Sequence, residues 1–148
     1  MTPRVPYHVG FVVPDLAEGM AQFGAALGVS WRQAAETDLP VRTGAGERTV
    51  RLRYAYSVEG PPYLELIECA EGTVWACDGG GAGTAHHLGY WSDDLAADAA
   101  RLERAGWARE LTDAAEGGGC RVLAYHRAPA GPRVEHVATS MRRLILGS

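Results

Sequence analysis

Tyr7-His8-Val9-Gly10-Phe11-Val12-Val13 and Ala85-His86-His87-Leu88-Gly89-Tyr90-Trp91 are two versions of one stretch. Each sets a histidine at the start of a short strand-like run, then an apolar residue, a glycine and an aromatic. The likeness continues past the strand, where Pro14-Asp15-Leu16-Ala17 is answered by Asp93-Asp94-Leu95-Ala96 and a helical pattern follows each. Self-similarity settles architecture before any single residue is interpreted. Here it predicts two modules, about 5–69 and about 84–140, within a single domain spanning 1–148.

Outward from the first copy, Tyr7 to Val13 is apolar, β-branched and bounded by Pro6 and Pro14, which predicts a buried strand. Asp15 offers a side-chain oxygen to the free amides of a first helical turn, with Glu18 placed to reach back. Leu16, Met20, Phe23 and Leu27 recur at helical spacing, and Gly28 can end the helix in the left-handed conformation. Val29 to Glu36 is expected as the next strand and Thr37 to Glu47, with Pro40, Gly44 and Gly46, as a loop. From Arg48 the chain alternates, with Val50, Leu52, Tyr54 and Tyr56 on one face and Thr49, Arg51, Arg53 and Ala55 on the other. Tyr63 to Glu68 completes a β-α-β-β-β order.

The connector Cys69 to Thr84, rich in glycine around Gly79-Gly80-Gly81, is expected to hold a helical turn near Trp75, a residue placed to close over a ligand. The second module repeats the order: strand Ala85 to Trp91, helix from about Asp94 to Ala105, Gly106 as its stop, and strands over 107–112, 120–126 and 133–139. The tail Met141 to Leu146 alternates basic and apolar character, which suits either packing on an edge or contact with a second subunit.

At 148 residues the chain can bury a sizeable core. A net charge of −4 gives no basic field for nucleic acid, and no window approaches the roughly 20 apolar residues of a membrane span. A small-molecule partner is expected instead. Cys69, Cys77 and Cys120 are odd in number and lack the close pairing of a zinc or redox motif, the pattern of reduced thiols in a cytoplasmic protein.

Each copy has one histidine opening its first strand and one glutamate in its last: His8 with Glu65, His87 with Glu135. Glu65 is opposite in phase to Leu64 and Leu66, as Glu135 is to Val134. Carboxylates buried on apolar strands need a partner, and a divalent cation satisfies them. Two imidazoles and two carboxylates around a pseudo-twofold axis would suit zinc, nickel, cobalt, manganese or ferrous iron. His126 and His136 fall outside this pattern and are expected to be structural.

Nearly the whole chain resembles the vicinal oxygen chelate superfamily of glyoxalases, extradiol dioxygenases, bleomycin-resistance proteins and methylmalonyl-CoA epimerases. The resemblance rests on His8 to Leu16, Leu64-Glu65-Leu66-Ile67-Glu68, His86-His87-Leu88-Gly89-Tyr90 with Asp93-Asp94-Leu95, and Val134-Glu135-His136-Val137. It implies an α+β fold in which paired β-α-β-β-β modules form a cup-shaped mixed sheet. It places one divalent metal ion on His8, Glu65, His87 and Glu135, with His86, the doubled histidine of the epimerase-like branch, beside the site as a substrate-binding residue. Both single-chain and dimeric sites occur in the superfamily, and a homodimer is expected.

The function that the resemblance implies is that of a metal-dependent isomerase or lyase, moving a proton next to a carbonyl through an enolate, with Glu135 and Glu65 as candidate bases. In the epimerases a glutamate on the third strand of the first module is the second acid or base; the matching position here is Arg51, so either the protein is not that epimerase or Glu47 or Glu36 has taken over the role. If Val50, Leu52 and Tyr54 pack against the helices, Arg51 and Arg53 turn into the cup and hold an anionic or thioester substrate; if the strand lies at an edge, both stay in water. The alternatives are a non-enzymatic binder of the antibiotic-resistance kind and a non-haem iron dioxygenase.

Overall fold

Between Pro6 and Pro14 the β-branched run forms strand β1 (His8–Val13) in the computed structural model, which describes residues 1–77 and 84–147. Helix α1 (Leu16–Leu27) follows, its first turn capped by Asp15, whose Oδ1 accepts the Glu18 N–H at 2.8 Å, and its end turned by Gly28 at φ 72°. The Glu18 carboxylate does not reach back to the cap; it accepts from Gln22 at 3.1 Å. Strands β2 (Ala35–Thr43), β3 (Gly46–Tyr56) and β4 (Tyr63–Glu68) complete the first module. The second repeats it as β5 (His87–Ser92), α2 (Leu95–Arg104), β6 (Ala108–Asp113), β7 (Leu123–Arg127) and β8 (Arg133–Ala138), and α3 (Arg142–Leu146) ends the chain.

The eight strands close into a barrel in the order β1-β4-β3-β2-β6-β7-β8-β5. The modules join twice, through the antiparallel pairs β1–β5 and β2–β6, and within each module first and last strands run parallel. This is the curled mixed sheet expected. Its interior holds the main core, including Val41, Leu52, Tyr56, Ile67, Leu111, Tyr125 and Val137. A second cluster of Val13, Leu16, Ala55 and Leu66 lies between the sheet and α1.

Three expectations are corrected. The segment expected as a loop from Thr37 is most of β2, while 29–34 is not strand beyond one bridge from Trp31 to Ser57. Its polarity reflects a wet outer face: Glu36, Asp38 and Arg42 stand opposite Arg53, Arg51 and Glu47 on β3, and such cross-strand charge pairs support a sheet as apolar ones do. Pro40 is tolerated because β6 pairs with β2 at Val41 and Arg42, while the Pro40 carbonyl still accepts from Ala114 N–H. The connector contains turns rather than a helix at Trp75, and they bring Cys69 and Cys77 to a Cα separation of 5.5 Å, where they form a disulfide and leave Cys120 as the free thiol. Proximity created by the turn, not a sequence motif, decides that pairing. The glycines 79–81 lie outside the described residues.

Of the two expectations for the tail, packing on the domain's own edge is what the chain shows, as a short helix and not a strand. Leu146 is buried, Arg32 donates to its carbonyl at 2.9 Å, and Met141, Leu144 and Ile145 reach over the mouth of the barrel. No helix among the described residues is long and apolar enough to cross a membrane.

Asp98 on α2 binds three elements together, accepting from Arg4 (2.9 Å), Ser92 of β5 (2.6 Å) and Arg101 (2.9 Å). Burial opposes its charge, but these donors hold its carboxyl well below the usual carboxylate range. A depressed folded-state value means stability that is present above the unfolded value, near 3.8, and lost as pH falls. Asp98→Asn should therefore lower unfolding free energy by about 2 kcal/mol at pH 7, with the gap to wild type closing below pH 4, as read from urea denaturation.

Candidate metal centre

The seam between β1 and β5 puts the two copies of the opening stretch face to face. They run antiparallel with His8 opposite Gly89 and Gly10 opposite His87, closed by Tyr7 N–H to Gly89 O (2.8 Å) and His86 N–H to Gly10 O (2.7 Å). Each imidazole lies over the glycine of the other copy. A Cβ on Gly10 would stand 1.9 Å from His87 Cε1, and one on Gly89 would stand 1.9 Å from His8 Cε1. No side chain fits there, so the His-x-Gly spacing is a steric requirement for two rings to share one seam.

The carboxylates arrive by the same logic. Gly10 is level with Glu65 across β1–β4, and Gly89 is level with Glu135 across β5–β8. All four side chains are buried, and one donor atom from each lies within 4.8 Å of the rest. His8 Nε2 stands 2.8 Å from His87 Nε2, 3.2 Å from Glu65 Oε2 and 3.1 Å from Glu135 Oε2; His87 Nε2 stands 3.1 and 3.3 Å from the same two oxygens. Donors bound about 2.0–2.2 Å from one ion stand about 3.0–3.5 Å apart, so these separations suit a single shared cation. Glu135 Oε2 is buried without a hydrogen-bond partner, as an oxygen facing a cation position would be. Two neutral imidazoles and two carboxylates also balance a divalent ion to zero net charge.

The two histidines are held differently. His86 Nε2–H donates to Val74 O at 2.6 Å, which leaves its Nδ1 to accept from His87 Nδ1–H at 2.9 Å and directs the His87 Nε2 lone pair to the centre. Burial pushes His86 down to about 4, so it is neutral and able to accept. His8 has no partner at Nδ1 and is positioned by packing, with the Tyr7 ring edge-on at 4.3 Å. Burial opposes the charge of His8, but Glu65 and Glu135 outweigh it and raise the ring to about 9. His87 is raised too, against the same burial; both carboxylates are lowered by the histidines despite burial.

Above the donors lies a cavity of about 220 Å³, walled by Leu39, Leu52, Ile67, Leu123 and Val137, with Glu65 and Glu135 among its lining residues. Tyr54, Tyr56 and Tyr125 line it as well, as does Trp75, fully buried on the connector, which donates Nε1–H to the Tyr125 hydroxyl at 3.1 Å. Burial raises all three tyrosines, Tyr56 and Tyr125 well beyond the usual phenol range, so they remain protonated donors.

Arg51 and Arg53 are not in this cup. Leu52, Tyr54 and Tyr56 take the inner face of β3, which sends both arginines outward, Arg51 to Asp38 (3.0 Å) and Glu36 (3.4 Å), Arg53 to Glu68 (2.9 Å) and Glu36 (3.4 Å). The expectation that they hold a substrate anion is corrected: an apolar face of this strand that looks helix-directed in sequence is the barrel interior. Glu36 and Glu47 are likewise exposed, Glu47 pairing with Arg42 at 2.7 Å, so neither reaches the cavity. His86 stands behind His87 rather than on the cavity wall. His126 and His136 are buried on strands β7 and β8 away from the donors, His126 bonding Glu103 at 3.3 Å. The three tyrosines went unrecognised in the sequence as cavity-lining residues, although Tyr54 and Tyr56 at alternate positions were the available signal.

Comparison with known proteins agrees with the fold. The family model described as Glyoxalase/Bleomycin resistance protein/Dioxygenase superfamily matches residues 7–125. Among solved structures, methylmalonyl-CoA epimerase from Mycobacterium tuberculosis superposes with a TM-score of 0.61 at 23% identity, over 90% of this chain and 86% of that one. A methylmalonyl-CoA epimerase in complex with methylmalonyl-CoA and NH4+ gives 0.62 at 21% identity, over 94% and 96%. A Streptomyces coelicolor epimerase in complex with 2-nitronate-propionyl-CoA gives 0.60 at 20% identity, over 93% and 97%. No curated protein matches by sequence.

Two outcomes are expected at this centre. Gly10→Ala or Gly89→Ala should displace the facing imidazole and weaken zinc binding by at least tenfold while far-ultraviolet circular dichroism stays that of a folded barrel; Gly44→Ala, with open space around it, should leave zinc affinity unchanged. Stability should also depend on pH in opposite senses with and without metal. A histidine raised from 6.5 to about 9 stabilises the metal-free fold fully below pH 6.5 and loses that contribution as pH rises through 9. Lowered carboxylates contribute above about pH 4.5 and lose it on acidification. Below pH 6.5 the buried His86 and His136, held down to about 4, oppose that gain, so chelator-treated protein should soften from about pH 6.5 toward pH 9, whereas the increment from added zinc, which needs neutral imidazoles, should grow over that range in thermal melts.

Proposed function

Since the chain belongs to the glyoxalase/bleomycin resistance protein/dioxygenase superfamily, we propose that it is a divalent-metal-dependent isomerase moving a proton next to a carbonyl group. The observation that carries this reading is the buried quartet of His8, Glu65, His87 and Glu135, with its unpartnered Glu135 oxygen, at the floor of a largely apolar pocket. A protein that only sequesters a ligand gains nothing from burying two carboxylates there. A divalent ion held by these four residues would supply a Lewis acid that polarises a carbonyl oxygen and acidifies the adjacent carbon.

The residues of the chain supply the rest. Glu65 and Glu135 are the acid–base candidates among the cavity-lining residues, and both are charged at neutral pH because their pKa values are lowered. One carboxylate oxygen takes the proton; the C–H bond breaks and its electron pair passes into the enolate. Return of the proton from the same carboxylate restores the substrate; inversion takes a second proton, which the other glutamate, on a different module, gains from water and delivers to the opposite face while the first gives its proton up to water. Tyr125 accepts from Trp75, so its own O–H is left to donate to oxygen that gains negative charge. Trp75 and the α3 side chains Leu144 and Ile145 line the same pocket.

The purified protein should contain about one divalent ion per chain and should catalyse solvent deuterium exchange at the carbon next to a carbonyl. Tyr125→Phe should retain the metal and slow exchange by about tenfold or more, and Glu135→Gln should slow it by about 10²–10⁴. A protein that binds no divalent ion but holds an aromatic drug tightly would replace this reading with sequestration, and oxygen uptake with catechols would replace it with a dioxygenase.

A further inference from the structure

The walls of the cup carry a charge pattern that its floor does not explain. Among the described lining residues there is no lysine or arginine; the polar groups are Thr37, three tyrosine hydroxyls and the two glutamates already paired with the histidines. The nearest arginines on β3 are committed outside to Glu36, Asp38 and Glu68, and Arg142 and Arg143 of α3 are exposed while Leu144 and Ile145 of the same helix face the cavity.

We infer that the cup selects a neutral, largely apolar carbonyl compound about the size of one substituted aromatic ring and rejects anionic ones, an inference that rests on the metal-dependent reading above. The floor is already balanced, since two carboxylates offset a divalent ion. A substrate carboxylate or phosphate would add a negative charge in an apolar enclosure with no cation to meet it, and an unpaired buried charge is strongly disfavoured. Without the ion the two glutamates make the penalty larger. A neutral substrate avoids it throughout: as its carbon loses a proton and it becomes an anion, the glutamate that receives the proton becomes neutral, and the buried charge does not change. The aromatic walls of Tyr54, Tyr56 and Trp75 and the 220 Å³ volume set the size, because an apolar cavity of about 150 Å³ is known to take benzene.

Methyl mandelate and mandelate test this directly, since they share a ring, a hydroxyl and an acidifiable carbon and differ in one charge. Zinc-loaded full-length protein, titrated by calorimetry, should bind methyl mandelate at least tenfold more tightly than mandelate and should show no competition by methylmalonyl-CoA, whose acyl group carries a carboxylate. Thr37 is exposed at the mouth and Leu144 is 76% exposed on the opposite lip, so Thr37→Arg and Leu144→Arg each add a cation without disturbing the core; either should narrow the preference at least tenfold. Equal or tighter binding of mandelate by the wild type, binding of neither compound, or a ratio unmoved in both arginine variants overturns the inference. Deuterium exchange keeps the two readings apart. Tight methyl mandelate binding without exchange leaves the selectivity standing and removes the proton-transfer function, whereas exchange confined to anionic substrates does the reverse.

Discussion

At the β1–β5 seam each imidazole occupies the volume that a side chain on the facing glycine would need, and this reciprocal exclusion governs the site. It forces the two copies to meet antiparallel with His8 over Gly89 and His87 over Gly10. Once the seam is set, the parallel pairing of β4 on β1 and β8 on β5 carries one glutamate of each module to the level of those glycines. A single steric condition, met twice, therefore gathers four donors from strands far apart in the chain. The second seam, β2 on β6, closes the barrel so that the donors lie at the floor of an enclosed cavity instead of on an open sheet.

Burying two carboxylates and two imidazoles is costly unless they satisfy one another or a cation. In the metal-free state they do so incompletely: the histidines are raised, the carboxylates lowered, and one Glu135 oxygen stays unpartnered. The His86 relay shows how an outer residue resolves the ambiguity for His87, because a neutral ring anchored to Val74 O admits one tautomer of its neighbour. His8 has no such relay and depends on the packing of Tyr7. The disulfide from Cys69 to Cys77 spans the turn that presents both Val74 to this relay and Trp75 to the cavity wall beside Tyr125.

Much of the fold was legible because duplication leaves a trace in sequence that periodicity alone does not. The cap at Asp15, the stop at Gly28 and the strands around His8, Glu65 and His87 all follow from local chemistry, and the structure contains them. Strand β2 was hidden because charges on its wet face mimic a loop; their partners on β3, such as Arg53 for Glu36 and Arg51 for Asp38, are brought beside them only in the sheet. The direction of Arg51 and Arg53 was undecidable for a related reason: alternation assigns residues to two faces but does not say which face is inside a barrel.

From the sequence by itself came the duplicated β-α-β-β-β order and the matched histidines and glutamates, since these depend on spacing along a strand and on repetition. Only the tertiary structure decided that the donors converge within one chain, that the arginines stand outside, and that Cys69 meets Cys77. Those facts depend on strand register and on the curvature that closes the sheet, which are set by packing between segments distant in sequence.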